Sequence, residues 1–130
     1  AKGKLVGGNL SLIAASLGTP YEIDTKGKIL FIEEVGESPY RVDGMLTHLR
    51  NAGKFEDAAG IIMGDCHNCA ASDPDKALSL QQIFEDIVKP AGKPTISGVV
   101  CGHCSPSMSL PMGRLFKMDA AAGTFGPVEE

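Results

Sequence analysis

The sequence predicts a mixed α/β domain, and three observations predict it. Ile29-Leu30-Phe31-Ile32 is an apolar run without alternation, the mark of a strand covered on both faces. Shortly after it, apolar residues recur at three- and four-residue spacing, the mark of a helix with one buried face. Sixteen Gly and eight Pro promise many tight turns with short elements between them, which suits α/β better than a helical bundle. The 130 residues fit one domain, long enough to bury a real core.

The elements follow in order. Asn9 to Gly18 reads as a short helix: Asn9 can cap its start and Gly18 can end it in the left-handed conformation, with Thr19-Pro20 blocking continuation. Lys28 to Val35, bounded by Gly27 and Gly36 and rich in β-branched and aromatic residues, is the clearest strand. Ser38-Pro39 opens the next helix as N-cap and first-turn proline; Val42, Met45, Leu46 and Leu49 supply its buried face and Gly53 ends it. Ala58 to Met63 is a second buried strand, stopped by Gly64-Asp65, and residues 65 to 78 form a loop. Ser79-Leu80-Gln81-Gln82 is a capping box, leading a helix with the apolar stripe Leu80, Ile83, Phe84 and Ile87 and closing at Pro90-Ala91-Gly92. Thr95 to Val100 reads as a third strand; Pro111 to Met118 and Thr124 to Val128 are short strands near the C-terminus.

Composition excludes several function classes. The chain is 43% hydrophobic and 22% charged, with a net charge of −4 and no basic stripe interleaved with aromatics, so nucleic acid is not an expected partner. No apolar run approaches a membrane span, and the first residues are too short for a signal-peptide core, which means little in a sequence that can begin inside a longer protein.

The chemistry-bearing residues cluster after buried strands, where rigid scaffolds place working groups. Glu33-Glu34 ends the first clear strand, and Cys101-Gly102-His103-Cys104-Ser105-Pro106 follows the third. No Ser stands in a nucleophile elbow; Ser105, Ser107 and Ser109 lie in irregular chain, and no glycine-rich phosphate loop is present. His48, within a helix, reads as a surface residue. Cys66, Cys69, Cys101 and Cys104 form two C-x-x-C pairs, open to readings as free thiols, a zinc site or a redox pair. Thiolates astride His103 would compete for its imidazole, so free thiols are preferred and no metal or organic cofactor is expected. From residues alone, this is half of a catalytic site.

Five blocks in order resemble one family: Val6-Gly7-Gly8-Asn9-Leu10-Ser11-Leu12 with Gly18-Thr19-Pro20; Ile29 to Glu34 with Pro39-Tyr40-Arg41-Val42-Asp43 and Leu46-x-x-Leu49; Gly60-Ile61-Ile62-x-Gly64-Asp65; Gly102-His103; and Leu110-Pro111-x-Gly113. Together they are similar to the C-terminal domain of the LD-carboxypeptidases, serine peptidases that include muramoyl-tetrapeptide carboxypeptidases and microcin C immunity hydrolases. The resemblance implies that residues 1–130 form a swivelling β/β/α domain with a central, mainly parallel sheet and flanking helices. It also implies that the nucleophile domain, with its serine and oxyanion hole, precedes this chain. In a Ser–Glu–His triad Glu33 would match the acid, with Glu34 as the rival in register, and His103 the base. The implied activity is release of terminal D-alanine from murein tetrapeptide in peptidoglycan recycling, in the cytoplasm. The alternatives are a peptidyl-nucleotide amide hydrolase of the microcin C type, a binding domain of the same fold without chemistry, or a small zinc-binding module. Expected partners are the nucleophile domain, a peptide substrate and, in a homodimer, a second copy, and the chain alone is expected to be inactive.

Overall fold

A computed structural model describes residues 1–129. Six strands make one sheet in the order β4-β3-β2-β1-β5-β6. The elements are β1 (Lys2–Asn9), α1 (Leu10–Ser16), β2 (Ile29–Val35), α2 (Pro39–Asn51), α3 (Lys54–Asp57), β3 (Gly60–His67), α4 (Leu80–Ile87), β4 (Thr95–Ile96), β5 (Leu115–Asp119) and β6 (Thr124–Pro127), with 3-10 turns at Pro74–Lys76 and Lys89–Ala91. β1 to β4 run parallel, and β5 and β6 add an antiparallel ribbon beside β1. The domain is thus mixed α/β around a mostly parallel sheet.

Strand alternation sorts the core into two layers. Leu30, Ile32, Ile61 and Met63 face α1, α2 and α4, packing on Leu10, Ile13, Val42, Leu46, Leu49, Ile83 and Ile87. Leu5, Ile29, Phe31 and Ile62 face the other way, onto Ile96, Val99, Cys101, Phe116 and Met118. β2 is therefore covered on both sides, as its unalternating apolar run requires.

The helix ends follow their caps. The Asn9 side chain accepts from the Leu12 amide at 3.1 Å. Ser79 and Gln82 make the reciprocal capping box. Pro39 opens α2, although the Ser38 side chain makes no cap bond there.

Four boundaries differ from those the sequence suggests. β5 begins at Leu115 rather than Pro111. Residues 2–9 form a strand, paired parallel with β2 and antiparallel with β5. β3 continues past Asp65 to His67, because Cys66 and His67 pair with Glu34 and Val35 beyond a β-bulge. β4 stops after two paired residues: Gly98 takes φ 73° and turns the chain off the ladder. Among the described residues no helix is long and apolar enough to cross a membrane.

Candidate active site

The parallel strands deliver their carboxyl ends to one edge of the sheet, the usual place for chemistry in such folds. Asn9, at the end of β1, lies opposite Glu33 on β2. Across β2, the register with β3 runs Ile32 to Met63 and then Glu34 to Cys66, so Gly64 and Asp65 oppose Glu33 alone. Bulges of this kind re-aim side chains beside functional sites.

Glu33 and Glu34 point to opposite faces, and both are buried, at 6% and 2% exposure. Glu33 enters the layer of Phe31 and Cys101 and meets the loop after β4. Its Oε2 lies 2.8 Å from His103 Nδ1. A carboxylate only accepts, so Nδ1 carries the proton in this pair, and in the neutral ring Nε2 keeps a lone pair. The His103 side chain is 53% exposed while that of Glu33 is 8% exposed. The dyad therefore has a buried acid and an open base, which can abstract a proton from a group brought to Nε2.

The loop carrying His103 is fixed by backbone contacts. Cys101 O accepts from Asp65 N at 2.9 Å, and Val100 O accepts from Met108 N at 2.9 Å. Gly102 takes φ 136° and lies against Glu33; a Cβ there would come 2.8 Å from Glu33 Oε2 and 3.0 Å from its Cβ. Only glycine lets the loop approach the acid this closely.

Glu34, the rival acid, is fully engaged on the helical face. Its Oε1 accepts from Asn9 Nδ2 and from Val35 N, both at 2.9 Å. Its Oε2 accepts from Ser11 N at 2.8 Å and Ser11 Oγ at 2.5 Å. Burial opposes its ionisation, but the hydrogen bonds from Ser11, Val35 and Asn9 outweigh burial and hold its carboxyl below the usual range. Glu34 thus ties the end of β2 to the junction of β1 and α1, and it does not reach His103.

Among the described residues no serine hydroxyl is hydrogen-bonded to His103. The Ser11 hydroxyl is held by Glu34, the Ser107 hydroxyl sits on Gly102, and Ser105 and Ser109 are exposed. His48 is exposed in the last turn of α2, and His67 is exposed with Nδ1 3.5 Å from Asp65 Oδ2.

The cysteines do not converge. Cys69 is buried in the helical layer and Cys101 in the opposite one. Burial is the largest cause raising the Cys66, Cys69 and Cys101 thiols, and Cys66 is pushed up to about 12. Thiols buried on two faces of a sheet are badly placed to meet at one zinc ion. Among the described residues no three His, Cys, Asp or Glu side chains gather as a metal would need.

The roles of Asn9, Ser11 and Ser107 escape a reading of the sequence. Asn9 alone leaves a signal, as a helix cap in the same position as a strand end. A groove of about 690 Å³ between α4 and β4 is lined by Met63, Phe84, Lys89, Lys93 and Thr95 and does not include the dyad.

Residues 2–118 match the family model for the LD-carboxypeptidase C-terminal domain. The chain is 52% identical over 124 residues to a Bacillus subtilis protein named "Probable murein peptide carboxypeptidase", covering 95% of this chain and 39% of that protein. It is 27% identical over 123 residues to the microcin C7 self-immunity protein of Escherichia coli, covering 91% of this chain and 34% of that protein. The crystal structure of muramoyltetrapeptide carboxypeptidase from Oxalobacter formigenes superposes with a TM-score of 0.80 at 31% identity, over 89% of this chain and 41% of that one. The chain thus spans between about a third and two-fifths of the length of these relatives.

Proposed function

Because this chain belongs to the LD-carboxypeptidase family, matching its C-terminal domain, we propose that Glu33 and His103 are the acid and base of a Ser–Glu–His triad. Its serine would come from a nucleophile domain preceding residues 1–130. One observation carries the reading: a buried carboxylate 2.8 Å from the Nδ1 of a histidine whose other side is open.

The chemistry follows from that geometry. A serine hydroxyl is a weak nucleophile until an imidazole takes its proton. His103 Nε2 receives that proton as the serine oxygen attacks the amide carbonyl, and Glu33 stabilises the imidazolium. The imidazolium returns the proton to the departing amine. Nε2 then deprotonates a water that splits the acyl-enzyme, freeing the acid and regenerating the serine. No step calls for a metal or organic cofactor.

The substrate we propose is a murein tetrapeptide, cleaved at its L,D-amide bond to release D-alanine during peptidoglycan recycling in the cytoplasm. The enzyme would act as a two-domain chain able to form a homodimer. Similarity to the microcin C7 self-immunity protein favours a second substrate class, peptidyl-nucleotide amides. The test is an assay of both substrates with this chain alone and with the chain joined to the serine-bearing segment of its reading frame. The longer protein should release D-alanine and the isolated chain should release none. Turnover by the isolated chain that is lost in His103→Ala would overturn the two-domain reading. Cleavage of the nucleotide conjugate alone would reassign the substrate.

A further inference from the structure

The loop from Cys101 to Met108 holds His103 over Glu33, yet among the described residues His103 itself makes one hydrogen bond, to Glu33. What fixes its backbone is the residue before it. Gly102 donates its N–H to Ser107 Oγ at 3.2 Å, and the same hydroxyl lies 3.3 Å from Gly102 O, to which it donates. Ser107 Oγ therefore clamps both polar groups of Gly102 across a five-residue span. It does so at the residue whose missing Cβ lets Glu33 approach. The flanking anchors, Cys101 O to Asp65 N and Val100 O to Met108 N, fix the two ends of the loop and use neither polar group of Gly102.

We infer that Ser107 is a positioning residue for His103: its hydroxyl sets the Gly102 peptide so that Nδ1, rather than Nε2, faces the Glu33 carboxylate. This rests on the catalytic reading above for its importance, but not for its test. In this geometry the Ser107 hydroxyl faces Gly102 and makes no hydrogen bond to His103 among the described residues. An unsecured peptide would let the imidazole swing by an ångström or more, a displacement that costs roughly a hundredfold in rate when a general base is involved.

The tautomer of the neutral imidazole reads this directly, because the carboxylate selects the Nδ1–H form and a released ring relaxes toward Nε2–H. The experiment is nitrogen-15 NMR of the His103 ring at alkaline pH, in the 130-residue chain and its Ser107→Ala and Ser107→Thr variants. The wild type and Ser107→Thr, which keeps the hydroxyl, should show Nδ1–H. Ser107→Ala should shift the ring several-fold toward Nε2–H with the remaining amide spectrum unchanged. An unshifted tautomer in Ser107→Ala, or an equal shift in both variants, would overturn the inference. Should Ser107→Ala fail to fold, hydrogen exchange in the wild type decides. A Gly102 amide held by the hydroxyl should exchange roughly tenfold more slowly than an unbonded loop amide, and a fast one overturns the assignment. Activity of the serine-bearing protein then tests the catalytic reading separately. There Ser107→Ala should lower kcat with KM nearly unchanged.

Discussion

Replacing Gly102 with alanine should damage stability and the dyad together, for reasons that can be separated. The new Cβ would lie 2.8 Å from Glu33 Oε2 and 3.0 Å from Glu33 Cβ, well inside van der Waals contact. Glu33 is only 6% exposed, so it cannot swing into solvent without giving up His103. Crowding of this kind costs about 1–3 kcal/mol. A φ of 136° adds strain for any residue with a side chain, again about 1–3 kcal/mol. The sum, roughly 2–6 kcal/mol, should lower Tm by about 6–25 °C in a domain of this size. Gly113→Ala isolates the backbone part: its φ is 80° and no atom lies within 4 Å of the added Cβ. It should cost about 1–2 kcal/mol. Thermal melts of the two variants, with the His103 tautomer read in each, make the comparison. If Gly102→Ala melts with Gly113→Ala and keeps the Nδ1–H form, the close packing of Gly102 on Glu33 is refuted.

Glu34→Gln should cost about 2–4 kcal/mol in urea titration despite its matching shape, because both oxygens accept and the new amide would turn N–H groups toward donors from Ser11 or from Asn9 and Val35; a neutral effect would contradict the network. Stability should also depend on pH at both ends. The depressed carboxyl of Glu34 contributes stability above its ordinary 4.5, lost as pH falls through the lower folded value. The raised thiol of Cys66 contributes stability below its ordinary 9.0, lost as pH rises from there toward about 12. Urea midpoints across pH should therefore fall at both extremes, and Cys66→Ala should flatten the alkaline side. With buried thiols on opposite faces, the purified chain should hold well under one equivalent of zinc, and a chelator should leave Tm unchanged. Stoichiometric zinc would contradict that placement.

What the sequence disclosed tracks how local each signal is. α2 and α4 were legible because proline, capping box and apolar period sit within one segment each. β2 was legible because burial on both faces writes an unbroken apolar run. β1 was not: Lys2–Asn9 carries three glycines and two lysines, and its order comes from pairing with β2 and β5, which lie far along the chain. The extension of β3 past Asp65 depends on a bulge, a property of two strands rather than one. At the site, Glu33 and His103 were reached by resemblance to the LD-carboxypeptidase blocks, and alternation along β2 kept Glu34 as a rival. The division of labour between the two acids could not be read, because it depends on which face of β2 meets the His103 loop and which meets Ser11. Ser107 was one of three serines in irregular chain until the fold brought it back onto Gly102.

The central claim is that Glu33 and His103 act as one acid–base unit on a serine supplied from outside this chain. The most direct measurement is steady-state hydrolysis of an L,D-tetrapeptide by the serine-bearing protein carrying Glu33→Gln, His103→Ala and both together. His103→Ala should lower kcat by roughly 10³-fold or more, and the double variant should fall little further than His103→Ala, because residues that act as a unit are far from additive. KM should stay within a few-fold. Independent losses that multiply in the double variant, or a Glu33→Gln enzyme with wild-type kcat, would contradict the account.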